Sequence, residues 1–434
     1  MNLSRSASHQ QDKLKRKKRL RRLMIVNFTL FGVIIALLGA WLVLNQADKL
    51  KSLFGDSGSG NKEQAVGVTT DGGGTPDAMD DEVSSAPDDE GVADTDSNGG
   101  GNSDGREQAE GPVPSVEAGG AEQISLSFVG DLLLGEYVSA VMEREGYDFL
   151  YKQSLLYLSE PDLTAGNLEH PVTNRGIPAE GKDYVFKGSP DALPALRDAG
   201  FDVVSLANNH TLDQGVEGLM DTMRHLEEAG ISHAGAGAND TEAFAPVIKE
   251  VRGVKIAYIG LSKVVPTVEW KADKNVAGVA ETYDTRRAVT AIRKAEEEAD
   301  IVAVMVHWGK ERVDQPKPYQ RDYARQYIDA GADLVIGSHP HVLQGFEMYK
   351  GKWIAYSLGN FIFSAFPKGT AGETGVLDAL CTKGGDCELK FHPMFTVNAQ
   401  PTPMEAEPAK ELLNRLSSIS FGAKLREDGS IVPE

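Results

Sequence analysis

Apolar and polar positions alternate in blocks along the chain after residue 122. Short apolar runs bounded by turn residues are typical of buried strands, and stretches with an apolar residue every three or four positions are typical of helices. The predicted strands are 124–129, 163–165, 202–206, 254–261, 301–306, 334–336 and 353–358, and the predicted helices are 190–199, 216–229, 286–299 and 319–330. Because strands and helices alternate, we expect residues 122–400 to form an α/β domain with a layered sheet.

Six predicted strands run into polar clusters at their carboxyl ends. The clusters contain Asp131, Asn167 with Glu169, Asn209 with His210, His307, His339 with His341, and Asn360. In open α/β sheets ligands bind beyond the carboxyl ends of the strands, so the clusters converge on one site if their strands share a sheet. The alternative is that these residues only form turns, a role to which Asn, Asp and Gly are suited.

The side chains in these clusters are the ligand types of a divalent metal site. Imidazoles, carboxylates and amides without cysteine suit zinc, manganese or iron, and they do not suit iron–sulfur or copper–thiolate sites. His339 and His341 are two residues apart, so in an extended segment both face the same side. A carboxylate at Asp131 or Glu169 could bridge two ions, which together activate water and stabilise charge on the reacting oxygens. We interpret three other histidines as surface or structural residues: His225, His233 and His392.

An apolar run of 22 residues, 23–44, is interrupted only by Asn27 and Thr29. As a helix it is long enough to cross a hydrocarbon core of roughly 30 Å. Residues 1–22 hold nine Lys and Arg and one Asp, and the positive-inside bias places this basic arm in the cytoplasm. We therefore expect a single-pass signal anchor in the cell membrane with the C-terminal domain extracellular. The alternative is a cleaved signal peptide, whose apolar core would be shorter.

The net charge of −20 is unevenly distributed. Residues 55–120 hold sixteen Asp and Glu against two Lys and Arg, and they are rich in Gly and Ser. Such a segment cannot bury enough apolar surface to fold, so we expect residues 45–121 to be a disordered acidic linker. A nucleic-acid interface needs clustered cations, and the only strongly basic run is the N-terminal arm, so nucleic acid is not an expected partner.

The chain has two cysteines, Cys381 and Cys387, which flank the predicted turn at Gly384 and Gly385. Two cysteines exclude a disulfide-framework protein and the multi-cysteine zinc modules. A hairpin would place the two thiols opposite each other, and outside the cell a disulfide would persist. We favour this disulfide over the alternative of two free thiols.

Six short motifs occur in order between residues 123 and 365: 128-FVGDLLLG-135, 166-GNLE-169, 207-ANNH-210, 307-HWGKE-311, 337-GSHPHVLQ-344 and 357-SLGNF-361. Together they resemble the capsule-synthesis protein CapA family, the membrane-anchored component of bacterial poly-γ-glutamate synthesis. The resemblance implies a fold similar to that of calcineurin-like metallophosphatases, a four-layered α/β/β/α sandwich with a dinuclear metal centre.

The resemblance also implies roles for individual residues. The metal ligands by position are Asp131, Glu169, Asn209, His307, His339 and His341. His210 resembles the catalytic histidine of the phosphatases, and we expect substrate-binding or supporting roles for Asn167, Glu311 and Asn360. The sequence departs from the phosphatase pattern in two places. Leu133 stands where a histidine is usual, and Asn167-Leu168-Glu169 stand where a G-D-x-x-D motif is usual.

Two classes of function follow from this resemblance. The favoured one is a membrane-anchored extracellular component of poly-γ-glutamate synthesis and export, and the alternative is a metal-dependent hydrolase or phosphoesterase-like enzyme acting on an extracellular polymer or phosphoester. The sequence has no G-x-x-x-x-G-K-[ST] motif, so we expect other synthase subunits to supply the energy for polymerisation. The expected partners are therefore the membrane, these subunits and the polyglutamate polymer. Residues 401–434 are expected to be a C-terminal tail with one helix near 409–416.

Overall fold

The computed structural model describes residues 123–434. The predicted basic arm (1–22), membrane anchor (23–44) and acidic linker (45–121) all lie outside the described residues. Within residues 123–434, no helix combines the length and the apolar character that crossing a membrane requires.

The described chain contains eighteen strands, numbered β1 to β18, most of which belong to two sheets. The larger sheet holds β1 (Gln123–Leu132), β2 (Leu163–Leu168), β3 (Phe201–Ser205), β4 (Ser232–Ala234), β13 (Asn360–Ile362), β14 (Glu373–Thr382), β15 (Cys387–Val397), β16 (Gln400–Pro403), β17 (Ala423–Leu425) and β18 (Ser430–Pro433). The smaller sheet holds β6 (Val247–Val251), β7 (Val254–Ser262), β9 (Ile301–His307), β10 (Leu334–Ser338), β11 (Phe346–Tyr349) and β12 (Lys352–Ala355). The short strands β5 (Ala236–Gly237) and β8 (Gly278–Val279) pair with each other.

Eight α-helices accompany the strands in the described residues. They are α1 (Ser139–Glu145), α2 (Leu155–Ser159), α3 (Leu193–Ala199), α4 (Gly215–Ala229), α5 (Asp240–Ala243), α6 (Thr285–Glu298), α7 (Pro318–Asp329) and α8 (Ala406–Ser418). The predicted helix at 190–199 begins as a 3-10 turn, Pro190–Ala192, and continues as α3. The predicted strand at 353–358 is shorter than expected, because after Ala355 the chain leaves the ladder and the N–H of Tyr356 donates to Gly345 instead.

The central strands of both sheets run parallel, so their carboxyl ends lie along shared edges. In the larger sheet β1, β2, β3 and β4 are parallel neighbours, and in the smaller sheet β7, β9, β10 and β12 are. Parallel strands that are covered on both faces have nearly continuous apolar sequences. Strand β9 is of this kind, since all seven of its residues are buried.

Three apolar cores define four layers. The core between the sheets joins Phe128 and Val203 of the larger sheet to Ile256 and Tyr258 of the smaller one. A second core packs the amphipathic helices α3 and α4 on the outer face of the larger sheet, and a third packs α6 and α7 on the outer face of the smaller sheet. The predicted α/β class is therefore confirmed, with helices on the outside of two facing sheets.

The C-terminal residues 401–434 are part of this domain, which corrects the expectation of a separate tail. Strands β16 and β18 both pair with β15, and α8 buries Leu412, Leu413 and Leu416 in the core between the sheets. The expected boundary at residue 400 therefore does not separate two structural units, because the segment closes one end of the inner core. The predicted helix at 409–416 lies within α8.

Cys381 and Cys387 form a disulfide in the β14–β15 hairpin, where the two residues are register partners. Cys381 is fully buried, and the backbone carbonyl of Cys387 accepts a 2.9 Å hydrogen bond from the indole of Trp353. The disulfide thus ties β14 to β15, and the hydrogen bond from Trp353 of β12 joins this end of the hairpin to the smaller sheet.

Candidate metal centre

Two buried carboxylates form the floor of the site at the carboxyl ends of β1 and β2. Asp131 lies near the end of β1, where it is in register with Asn167 of β2, and Glu169 follows that strand directly. Both carboxylates have no exposed surface. The amide of Asn167 donates to Oδ1 of Asp131 (2.9 Å) and to Oε2 of Glu169 (3.2 Å), so Asn167 holds the two acids side by side.

His307 reaches the same place from the other sheet, at the carboxyl end of β9. Its Nε2 lies 3.6 Å from Oε1 of Glu169 and is joined to Oδ1 of Asn209 by a 2.7 Å hydrogen bond. Its Nδ1 lies 3.0 Å from the hydroxyl of Ser338, which is its register partner on β10. The two sheets therefore contribute to one site.

His339 and His341 follow β10 on a bent rather than an extended segment. Their φ angles are 94° and 55°, values that non-glycine residues rarely adopt and that occur most often at functional sites. Nδ1 of His341 lies 2.8 Å from Oδ1 of Asn360 and 3.3 Å from Oδ2 of Asp131, and its Nε2 lies 3.9 Å from Oε1 of Glu169. Both imidazoles thus reach the carboxylates, but the expectation that they do so from an extended segment is wrong.

The environment favours neutral imidazoles at two of these positions. Burial, followed by the neighbouring histidines, holds the pKa of His307 well below its usual range, and the same causes lower the pKa of His339 to about 3. Burial also opposes the charged form of His341, but the hydrogen bond and the charge of Asp131 outweigh it and leave that pKa raised. Neutral imidazoles keep a lone pair for a metal ion.

Glu169 is the acid that most needs a positive partner. Burial raises its pKa well above the usual value, and the nearby Asp131 raises it further. A bound cation reverses this effect, because it favours the ionised form of a neighbouring carboxylate.

The residues present fit a divalent cation. Oε1 of Glu169 and Nδ1 of His339 are buried and have no hydrogen-bond partner, although buried polar atoms are normally paired. Ligand atoms within 4.8 Å of one another occur in two sets: Glu169, His339 and His341, and Asp131, Glu169 and His307. Glu169 belongs to both sets, so its carboxylate is placed to serve either one ion or two.

His210 lies beside this centre and not within either set. Its Nδ1 is 2.6 Å from Oδ2 of Asp213, and its ring stacks on Phe186 with 4.1 Å between the centroids. Lys182 forms an ion pair with Asp213 and donates a 2.6 Å hydrogen bond to the carbonyl of Asn209. Burial is the main cause that lowers the pKa of His210, although Asp213 opposes it.

The structure therefore brings most of the sequence-predicted site residues together. Asn209 enters through its side-chain oxygen, and Asn360 positions His341. Glu311 is exposed on the loop after β9 and acts through its charge, which raises the pKa of both Glu169 and His341. Leu133, at the position where the phosphatase pattern has a histidine, is fully buried in the protein interior.

Sequence reasoning missed Asp213 and Ser338 as site residues. Asp213 follows His210 by three residues, and a carboxylate at that spacing is a signal that could have been noticed, since catalytic histidines are commonly oriented by an acid. Ser338 carries no comparable signal, because only the pairing of β9 with β10 places it beside His307.

Comparison with known proteins points in the same direction as the motifs. Residues 125–365 match the family described as bacterial capsule synthesis protein PGA_cap. A PGA biosynthesis protein CapA from Bacillus subtilis is 33% identical over 323 residues, which cover 74% of this chain and 84% of the relative. A capsule biosynthesis protein CapA from Bacillus anthracis is 34% identical over 273 residues, covering 59% of this chain and 63% of the relative. A hypothetical protein from Thermus thermophilus, 17% identical, covers 63% of this chain and 100% of its own with a TM-score of 0.40, which is too low to assign a fold.

Proposed function

Because the chain belongs to the PGA_cap family of bacterial capsule synthesis proteins, we propose that it is a component of poly-γ-glutamate capsule synthesis and export that works through a divalent cation. The residues that would hold the cation are the two carboxylates and the imidazoles at the strand ends: Asp131, Glu169, His307, His339 and His341. Asn209 would add its side-chain oxygen. Manganese, zinc and iron suit this set of nitrogen and oxygen donors.

The single observation that carries the proposal is the pair of unpartnered buried atoms, Oε1 of Glu169 and Nδ1 of His339. A buried polar atom without a partner costs about 1–3 kcal/mol, and a cation shared by both atoms removes that cost. Poly-γ-glutamate carries one carboxylate per residue, so a divalent cation also offers the anionic chain an attractive centre on an acidic protein.

The location and partners complete this proposal. We place the domain outside the cell, on an anchor at residues 23–44 and an acidic linker at 45–121, on the strength of the apolar run and the basic residues before it. The partners are then the membrane, the other synthase subunits and the polyglutamate polymer.

Metal content and polymer yield test this proposal together. The full chain, purified from membranes, is expected to carry manganese, zinc or iron by mass spectrometry, and the Glu169→Gln and His339→Ala variants to lose it. In a capsule-producing strain that depends on this chain, both variants are expected to lower the yield of polymer, while the surface variant His225→Ala leaves it unchanged. A metal-free wild type, or normal polymer from Glu169→Gln, would contradict the proposal.

A second candidate function, a metal-dependent hydrolase or phosphoesterase of metallophosphatase type, is favoured by one specific contact. The hydrogen bond from Nδ1 of His210 to Asp213 fixes the ring and favours its protonated form, in which Nε2 would carry the proton that goes to a leaving group. A divalent cation, when bound, supplies Lewis-acid polarisation of the bond to be cleaved. Phe186 covers one face of the imidazole and excludes water from it.

Turnover distinguishes the two candidates. The purified chain with manganese is incubated with a γ-linked glutamate oligomer and, separately, with p-nitrophenyl phosphate. A hydrolase is expected to release product, and His210→Ala to lower the rate by about 10²–10⁴-fold while the metal content stays at the wild-type level. Equal background rates for wild type and His210→Ala would exclude catalysis at this centre.

A further inference from the structure

A lysine framed by three tyrosines lies on the flank of the metal centre. The ammonium of Lys263 is 3.9 Å from the ring centroid of Tyr283, 5.8 Å from that of Tyr319 and 5.7 Å from that of Tyr323. Tyr319 and Tyr323 are four residues apart on α7, and this spacing places them on one face of the helix.

Lys263 and its surrounding tyrosines, here called the frame, are hydrogen-bonded to the strand end that carries His307. The backbone N–H of Lys263 donates to the carbonyl of His307 (2.8 Å), since Lys263 directly follows β7, the parallel neighbour of β9. The hydroxyl of Tyr319 accepts a 2.8 Å hydrogen bond from the N–H of Gly309, two residues after His307. The backbone of Lys263 and the ring of Tyr319 are therefore fixed beside the strand end that carries His307.

The ammonium of Lys263 has excess positive charge around it. Within residues 123–434, no carboxylate forms an ion pair with Lys263. The nearby Glu281 is 3.8 Å from the ammonium of Lys271, which itself lies 4.5 Å from the ring of Tyr283. Both ammonium groups thus lie over the ring of Tyr283, but Glu281 pairs with Lys271 and not with Lys263. An anionic ligand would therefore supply the partner that Lys263 lacks.

We propose that Lys263, framed by Tyr283, Tyr319 and Tyr323, is an anion-binding subsite that takes a side carboxylate of the polyglutamate chain next to the metal centre. The proposal rests on the proposed function, because that function supplies the polyanion. A chain with regularly spaced carboxylates can contact the cation and Lys263 at once, and two linked contacts bind more tightly than either alone. The tyrosine rings hold the ammonium by cation–π contact, which restricts its motion before the ligand arrives.

Binding of a γ-linked glutamate pentamer to the full chain in detergent micelles, with manganese present, tests this subsite. Lys263→Met is expected to raise the calorimetric Kd by about 10-fold, the loss of one charged hydrogen bond, and to make Kd less dependent on salt. Lys263→Arg keeps the charge and is expected to stay within about 3-fold of wild type. The matched control is Lys350→Met, since Lys350 also lies over a tyrosine (5.3 Å from the ring of Tyr349) but sits in the β11–β12 turn.

The outcomes separate this proposal from the one on which it rests. If wild type binds the pentamer only with manganese, and Lys263→Met binds equally well, the subsite is overturned and the proposed function stands. If wild type does not bind the pentamer, whether or not manganese is present, both the subsite and the proposed function are overturned. Tyr283→Leu, which keeps the lysine and removes the nearest ring, gives a second measurement and is expected to weaken pentamer binding without changing the metal content. Unchanged binding by both Lys263→Met and Tyr283→Leu would assign the frame a purely structural role.

Discussion

His307 and Asn209 are joined by a 2.7 Å hydrogen bond between Nε2 and Oδ1, although 98 residues separate them in the sequence. His307 ends β9 of the smaller sheet, and Asn209 follows β3 of the larger one. The contact therefore exists only when the two sheets are packed face to face. The candidate metal centre is for this reason a link between the two halves of the domain, and its occupancy and the stability of the fold should be coupled.

The first prediction is that divalent metal raises the thermal stability of the full chain. A ligand that binds only the folded state stabilises it by about 2.7 kcal/mol at a concentration 100 times its Kd. At about 2 °C per kcal/mol for a domain of this size, the Tm is expected to rise by about 5 °C when manganese or zinc is added after treatment with EDTA. Circular dichroism melting curves measure this shift.

Two variants locate the effect at the proposed ligands. His339→Ala and His341→Ala are expected to remove most of the metal-induced rise in Tm, whereas His225→Ala keeps it because His225 lies on α4, with Glu228 as its ion-pair partner. Identical melting curves with EDTA and with metal would refute the coupling.

The second prediction concerns Gly130, which immediately precedes the candidate ligand Asp131. A Cβ atom at this position would overlap the backbone carbonyl of Gly359, and that carbonyl accepts the N–H of Asp131 at 2.9 Å. Gly130→Ala must therefore push β1 away from its neighbour and displace Asp131. We expect a loss of about 2–3 kcal/mol in the free energy of unfolding, measured in urea, together with weaker metal binding.

Gly384→Ala is the matched control for this substitution. Gly384 lies in the turn between β14 and β15, and the nearest atom to an added Cβ is the hydroxyl of Thr382 at 3.8 Å. Its free energy of unfolding and its metal affinity are expected to equal those of wild type. If Gly130→Ala had the same free energy of unfolding and metal affinity as this control, the prediction would be contradicted, because β1 could then move without destabilising the fold.

The periodicity of apolar residues predicts individual strands and helices, whereas tertiary packing decides which distant segments pair. The apolar runs at β1, β7 and β9 and the apolar stripes of α4 and α6 are local signals, so the α/β class was predictable from them. The integration of residues 401–434 was not, because β18 is short and its partner β15 lies more than thirty residues earlier.

The same distinction holds for the candidate site. His307, His339 and His341 stand out because they directly follow apolar strands. Ser338 does not stand out, since its proximity to His307 comes from the pairing of β9 with β10. The bent backbone at His339 and His341 was also beyond sequence reasoning, because positive φ values at non-glycine residues are imposed by the surrounding structure.

The third prediction is that Asn167 keeps Asp131 and Glu169 in place for the metal. Its amide is the donor shared by the two acids, and residues that orient metal ligands typically contribute 10–100-fold to affinity. Asn167→Leu has a similar volume and no donor, so we expect its metal Kd to rise by about 10–100-fold in a titration against a competing chelator. Asn174→Leu, at an exposed position, controls for the chemical change. Equal affinities in these two variants would remove Asn167 from the site.

The last prediction concerns Asp221, whose carboxylate ties α4 to the loop after β2. It accepts hydrogen bonds from the hydroxyl of Thr173 (2.7 Å), from Arg175 (3.0 Å) and from Arg224 (3.2 Å). The hydrogen bond with Arg175 is the largest of the effects that hold the pKa of Asp221 below its usual value. A carboxyl whose pKa is lower in the folded state than in the unfolded state stabilises the fold above the unfolded pKa of about 4, and this contribution is lost as the pH falls through the folded-state pKa.

Asp221→Asn should therefore lower the free energy of unfolding at pH 7 by about 1 kcal/mol, a modest value because both guanidinium groups are exposed to solvent. The difference from wild type is expected to shrink as the pH is lowered from 4 towards 2, since wild type loses the same contribution when Asp221 is protonated. Urea unfolding at a series of pH values measures both effects. Asp198→Asn makes the same change of charge on an exposed part of α3 and is expected to show neither. A constant difference between Asp221→Asn and wild type across this range would mean that Asp221 acts through packing and not through its charge.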